Sequence, residues 1–342
     1  LSTTNALALL LKKNDKLVDA ERLYRETFET QRRVLGADHP DTLLTANNLA
    51  ALLKTEGKWS EAEALYRKTL NTRRRVLGDD HPKTLTSMNN LAAVLQKQKK
   101  LEDAERLYRE TMGLLERKLG AGHLKTLTAT KNLATVLREQ GQLAEAERIY
   151  RKTLESLRSK AGDHHLSTIN AIYSLAVLLV EKGEYVEAEP LLREALGLWR
   201  EVLPENHPIV AVGAFKLGEV LLFQGNYSAA EPLLRECLTL RRKRLKPGDW
   251  KTANAGNALG GCLVRLGKLD EAKPLLLESY SVLKVKWGQR DEHTARAIGR
   301  LVRLYDALGE PARAAEYRRL LPESSGDPPA KSPGDRPSKN QG

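Results

Sequence analysis

The residues best suited to chemistry in this chain are histidines set at a fixed interval. His39, His81, His123, His165 and His207 lie 42 residues apart, and Asp249 and Asp291 continue the series. His39, His81 and His207 each precede a proline, as in "GDDHPKTL" around His81. Imidazoles with nearby carboxylates suggest metal ligation or acid–base catalysis. A zinc ion, however, needs its ligand atoms about 2 Å away, whereas equivalent points on stacked helices are roughly 10 Å apart. Side chains repeated once per layer cannot share an ion. His164–His165 is the one adjacent pair, and no HExxH motif or carboxylate spacing accompanies it. The pattern suits a turn better: a capping residue, then proline at the first helical position, where its missing N–H costs nothing.

The remaining candidates for chemistry fail on spacing. "EGKWSEAE", from Glu56, holds a Gly-Lys pair and a serine but lacks the glycine four residues earlier that a phosphate-binding loop needs. GxGxxG, HRD and DFG motifs are absent. Cys237 and Cys262 form no CxxC pair, and Cys237 occupies the register of Thr27, Thr69, Thr111 and Thr153. They read as buried packing residues, in keeping with a reducing, cytoplasmic setting. No catalytic residue, metal site or cofactor is therefore expected. No apolar run approaches the length of a membrane span, and no signal peptide is visible, although the chain opens at Leu1 without methionine. The formal charge of +12 would suit an acidic partner. The arginine runs Arg32–Arg33, Arg73–Arg75 and Arg241–Arg244 hold no aromatic residue, and elsewhere interleaved Glu and Asp dilute the basic stretches. That composition argues against nucleic acid, which calls for a sustained basic stripe and a reading element, and for a solvated convex face laced with ion pairs.

What positions all these residues is one repeat. Ala20, Ala62, Ala104, Ala146, Ala188, Ala230, Ala272 and Ala314 recur every 42 residues without insertion, and Leu7 to Leu301 keep the same step. Tyr24, Tyr66, Tyr108 and Tyr150 give way to Leu192, Leu234 and Leu276 in register. Each unit reads as two helices. The first opens near Asp38–Pro40 and ends about Gly57; the second starts near Ser60, with Glu63 at capping-box spacing, and ends at Gly78. Leu49, Ala50 and Leu53 make one apolar stripe and Ala62, Leu65, Tyr66 and Thr69 its partner. The expected fold is all-α: a solenoid of eight stacked helix–turn–helix units over residues 1–321, forming a superhelix with a concave groove. Residues 322–342 turn to Pro, Ser, Gly and Lys, a tail expected to be disordered, with three acidic and three basic residues that cancel.

These positions resemble the tetratricopeptide repeat, and the 42-residue unit with "LYRxTL", "LGxxHPxT" and "NNLA" is similar to the kinesin light chain and nephrocystin-3 type. The resemblance implies a non-enzymatic scaffold that binds peptide or protein. It also implies a groove lined by first-helix positions two and one before the repeated leucine, and two and five after it. Those are Asn47, Asn48, Ala51 and Lys54, then Asn89, Asn90, Ala93 and Gln96, then Lys131, Asn132, Thr135 and Arg138. Carboxamides carry a donor and an acceptor, so a ladder of them can follow a peptide backbone; alternatively they bridge neighbouring first helices. Lys12, Lys54, Lys97, Lys131 and Arg138 favour an acidic segment, and Tyr173, Val177, Val180, Phe215 and Leu222 offer an apolar anchor site further on. The last third also looks similar to repeat tails of bacterial eukaryote-like serine/threonine kinases. The alternative expectation is thus a regulatory region of a larger enzyme whose catalytic domain is absent from this chain.

Overall fold

The computed structural model of the protein describes residues 2–13 and 16–321; the expected disorder of 322–342 concerns residues outside these. Among the described residues there are sixteen helices and no strand. They alternate as first and second helices: α1 (Ser2–Lys13) with α2 (Leu17–Val34), α3 (Pro40–Thr55) with α4 (Trp59–Leu77), α5 (Pro82–Lys97) with α6 (Leu101–Leu119), and α7 (Leu124–Glu139) with α8 (Leu143–Ala161). The pairs continue as α9 (Leu166–Glu181) with α10 (Tyr185–Val202), α11 (Pro208–Phe223) with α12 (Tyr227–Arg244), α13 (Trp250–Arg265) with α14 (Leu269–Trp287), and α15 (Glu292–Ala307) with α16 (Pro311–Arg318). The architecture is an all-α solenoid. By contacts the chain divides into two compact units, Leu1–Ala171 and Ile172–Gly342.

The periodic histidines are caps. Nδ1 of His39, His81, His123, His165 and His207 accepts the backbone N–H two residues on, at 3.1–3.3 Å. Asp249 and Asp291 do the same with a carboxylate oxygen at 2.8 Å. Each cap therefore satisfies one of the N–H groups that a helix start leaves without an intrahelical acceptor, and the lone pair a metal would need is already engaged.

First helices end as the sequence leads one to expect. Gly57, with φ of 77°, takes the left-handed position; its N–H reaches Lys54 O and the Lys58 N–H reaches Leu53 O. That is the Schellman arrangement. In the third unit Lys99 holds the same conformation, φ 62°, without glycine's freedom.

Second helices begin differently from the expectation. α4 starts at Trp59, its N-cap is Lys58, and no side chain caps it. Ser60 is inside the helix, and Glu63, rather than reaching back to it, accepts from Lys100 at 2.7 Å and Arg67 at 2.9 Å. An ion-pair triad outcompetes the capping box. The same triad recurs as Glu231 with Lys268 and Arg235, and neighbouring second helices are joined by Arg25–Glu61, Arg109–Glu145 and Arg235–Glu271.

The arginine run of the second unit splits three ways. Arg74 pairs with Glu110 and Asp79, and Arg75 with Asp38, as a solvated ion-pair face requires. Arg73 departs from that expectation: it is 3% exposed, and its guanidinium donates to Lys83 O, Ser87 Oγ and Leu43 O. Its position falls on the inner side of α4, in register with Leu115 and Leu157. Burial lowers its pKa, and neutral acceptors take the place of a carboxylate.

The core is the seam between paired helices. Tyr24, Tyr66, Tyr108 and Tyr150 are buried in the first unit, and Leu192, Leu234 and Leu276 replace them in the second. Both cysteines are buried there, and desolvation pushes each thiol up to about 11. They are unsuited to nucleophilic work at neutral pH.

Candidate functional site

The four first-helix positions in question share one environment in unit Leu1–Ala171. Asn47, Asn48, Ala51 and Lys54 on α3 are half-buried, while the intervening Leu49, Ala50, Leu52 and Leu53 are buried. Helical geometry produces this: residues spaced by three or four fall on one face. The stripe repeats on α5 as Asn89, Asn90, Ala93 and Gln96, and on α7 as Lys131, Asn132, Thr135 and Arg138.

The asparagines are linked across units. Asn132 Nδ2 donates to Asn89 Oδ1 at 3.1 Å, and Asn90 Nδ2 donates to Asn47 Oδ1 at a longer 3.5 Å. The bridging reading therefore holds. It does not exhaust the amides, because each offers two N–H groups and an oxygen with two lone pairs. The pair Asn47–Asn90 retains the Asn47 amide N–H groups and the Asn90 oxygen; the pair Asn89–Asn132 retains those of Asn89 and the oxygen of Asn132. Each pair thus keeps a donor amide and an acceptor oxygen, the two kinds of group that a peptide backbone pairs with.

Charge on this stripe is of one sign. Lys54, Lys131 and Arg138 occupy it, and no carboxylate stands at any of its twelve positions. Lys131 is half-buried, burial lowers its pKa, and no ion pair or side-chain hydrogen bond engages its ammonium among the described residues. A desolvated cation without a counter-charge is unfavourable until an anion arrives. Lys97 is exposed at the end of α5, one position past the stripe, while Gln96, on it, donates to Glu139 at 2.7 Å. Thr135 takes the Tyr150 hydroxyl at 2.8 Å, tying the stripe to the core tyrosine.

In unit Ile172–Gly342 the same register carries Tyr173, Val177, Val180, Phe215 and Leu222 together with Ser174 and the ion pair Lys216–Glu219, and it is not an open anchor site. Tyr173 is half-buried with its ring 5.1 Å from that of Trp199. Phe215, expected to be an accessible anchor, is 9% exposed, and the Arg241 guanidinium covers its ring at 4.6 Å. Val177, Val180 and Leu222 are half-buried. The correction has a simple cause: Arg241, in register with Arg73, folds over Phe215 while donating to Lys251 O. The offset pairing of the asparagines could have been read from Asn at both positions in successive units; the cover on Phe215 had no such local signal.

Among the described residues sixteen helices, paired at a 42-residue step, define a helical-repeat solenoid. The tetratricopeptide repeat family profile matches residues 1–75, 45–117, 88–159, 126–200 and 167–243, and the chain belongs to that family. The kinesin light chain TPR-like repeats of Podosopora anserina are similar at 22% identity, over 60% of this chain and 97% of that one, with a TM-score of 0.52. A Rap protein complexed with competence and sporulation factor is similar at 14% identity, over 92% and 98%, with a TM-score of 0.54. A STAND signal-transduction ATPase with a tetratricopeptide repeat sensor from Pyrococcus horikoshii aligns at 14% identity, over 93% of this chain and 46% of that one, at 0.64. At such identities the likeness shows the fold alone. No curated protein matches the chain. Among the described residues no helix is long and apolar enough to cross a membrane.

Proposed function

We propose that the protein is a non-enzymatic interaction scaffold, and that the face built on α3, α5 and α7 binds an extended, acidic peptide segment. The observation that carries this reading is the unpaired, half-buried Lys131 beside two asparagine pairs that each keep one donor and one acceptor. The amides follow the backbone of the ligand without reading its side chains, and Lys54, Lys131 and Arg138 select for carboxylates. The Rap protein complexed with competence and sporulation factor is a case of a similar solenoid with a bound factor. Selection from a random peptide library tests the reading: sequences enriched in Asp and Glu are expected, and Lys131→Glu should abolish the enrichment. Retention of the same acidic sequences by the Lys131→Glu protein would reject it.

A regulatory region of a larger enzyme is the second reading, supported by the match to the Pyrococcus ATPase, of which this chain covers only 46%. It leaves the peptide face unchanged and differs only in what that face would control.

A further inference from the structure

The C-terminal ends of α12 and α14 concentrate unpaired cations. In the second to fourth units at least one cation in the last turn of the second helix finds an acid in an adjoining turn: Arg74 with Asp79, Arg75 with Asp38, Lys118 with Asp80, Arg158 with Asp163. Single cations there, such as Arg117 and Lys160, stay unpaired among the described residues. In the sixth and seventh units the two positions before the capping aspartate are Pro247 and Gly248, then Gln289 and Arg290. The caps themselves are engaged, Asp249 by the Lys251 N–H and Asp291 by His293. The other nearby carboxylates are also taken: Glu292 pairs with Arg296 and Glu278 with Arg242. Lys243, Arg244, Lys246, Lys284, Lys286 and Arg290 consequently take part in no ion pair among the described residues. The pairs Arg235–Glu271 and Arg242–Glu278 set α12 and α14 side by side, so their last turns lie at one end.

Two apolar side chains project from this cationic collar. Val285 stands where the earlier units carry Arg33, Arg75, Arg117, Ser159, Glu201 and Lys243, and it is 88% exposed. Trp287 stands in the register of Leu77, Leu119 and Leu203 and is 42% exposed. Its ring is fixed in place, edge to face with Trp250 at 5.6 Å and stacked on His293 at 5.8 Å. The Lys286 ammonium lies 5.4 Å from the Trp287 ring and that of Lys251 lies 5.9 Å from Trp250. Exposed valine at a charged position gains nothing in water. Two residues apart on a helix, Val285 and Trp287 leave α14 on different sides. Separate apolar tips among unpaired lysines match the headgroup zone of an anionic bilayer, which accepts apolar tips and attracts cations. Nucleic acid fits less well, since base stacking needs open ring faces and those of Trp287 already carry His293 and Lys286.

We propose that this end of α12 and α14, with its unpaired cations and with Val285 and Trp287 on different sides of α14, docks the protein peripherally on an anionic lipid surface. The test is co-sedimentation of the full chain with phosphatidylcholine vesicles, with and without one third phosphatidylserine. Binding is expected only with phosphatidylserine and should fade with salt. Each cation near the surface contributes about fivefold in affinity, so Lys284→Gln with Lys286→Gln should weaken binding about thirtyfold. Val285→Glu, at a position too exposed to disturb the core, should weaken it on the order of tenfold or more. Equal sedimentation with both vesicle types, or variants that bind like the parent, would overturn the proposal. Capture of a single-stranded oligonucleotide in preference to anionic vesicles would also overturn it and assign the cations to nucleic acid.

Discussion

The two compact units solve one packing problem with different pairs of residues. In Leu1–Ala171 a buried tyrosine (Tyr66, Tyr108, Tyr150) on the second helix occupies the register where Ile172–Gly342 has Leu192, Leu234 and Leu276. The facing first-helix position changes one repeat later, from Ala50, Ala92, Ala134 and Ala176 to Gly218 and Gly260. A Cβ on Gly218 would come within 2.7 Å of Leu234 Cδ2, and one on Gly260 within 2.6 Å of Leu276 Cγ. The later helix pairs therefore approach until the leucine touches backbone, a distance that only glycine permits. The first-helix face changes too: the asparagine-linked stripe of α3, α5 and α7 gives way on α9 and α11 to Tyr173, Val177, Val180, Phe215 and Leu222 mixed with Ser174, Lys216 and Glu219. One scaffold thus carries an asparagine-linked polar face in one unit and a tighter seam in the other.

Breaking the tyrosine seam should have the largest effect. Tyr108→Ala is expected to cost about 3–5 kcal/mol, seen in denaturant unfolding, with hydrogen exchange accelerated in α5 to α8 first. Exchange that rises equally in both units would mean that the seams are not independent. The glycine seam responds in the opposite sense, to added volume. Gly260→Ala should cost about 1–3 kcal/mol through overpacking, and Leu276→Val should recover part of it; strict additivity in the double-mutant cycle would contradict the contact.

A smaller effect separates ion pairs from packing. In both units a glutamate of the second helix has a lowered pKa: Glu105 through the Arg109 hydrogen bond, and Glu231 through the Lys268 hydrogen bond, each opposed by desolvation. A depressed carboxylate contributes stability above the ordinary value of 4.5, and that contribution is lost as pH falls through the lower folded value. Thermal stability should therefore decline as pH falls from 4.5 through the folded value, and Glu231→Gln should flatten the decline. A profile unchanged by the substitution would remove the triad from the account. The smallest expected change is a gain: Lys99→Gly, which relieves a left-handed φ, should stabilise the first unit by about 0.5–1 kcal/mol.

Most of the fold was legible because the repeat reports on itself. A cap such as His81, repeated at one step before a helix start, can hardly be anything else, and Gly57 marked its turn by the φ it must adopt. Ser60 misled because a capping box and an ion-pair triad use the same glutamate, and the competitors Lys100 and Arg67 lie on another helix and another turn. Arg73 looked solvated as part of an arginine run. Its burial follows from helical phase, since 100° per residue sends the next two arginines outward and this one in. Phe215 was read from its position alone, and its cover, Arg241, comes from a different helix. The offset between Asn132 and Asn89 was legible only through the asparagines at adjacent positions of successive repeats, since the period alone does not specify how they stack.

The central claim is that the asparagine stripe with Lys131 holds an acidic peptide. Isothermal titration of a library-selected acidic peptide into the parent, into the Asn48→Ala, Asn90→Ala, Asn132→Ala triple variant, and into Lys131→Met tests it directly, with circular dichroism to confirm folding. At about 0.5–1.5 kcal/mol per lost hydrogen bond, the folded triple variant should bind on the order of ten- to a thousandfold more weakly. Lys131→Met should weaken binding and flatten its dependence on salt. Unchanged affinity in both folded variants would reduce the asparagines to bridges between helices and place the ligand elsewhere.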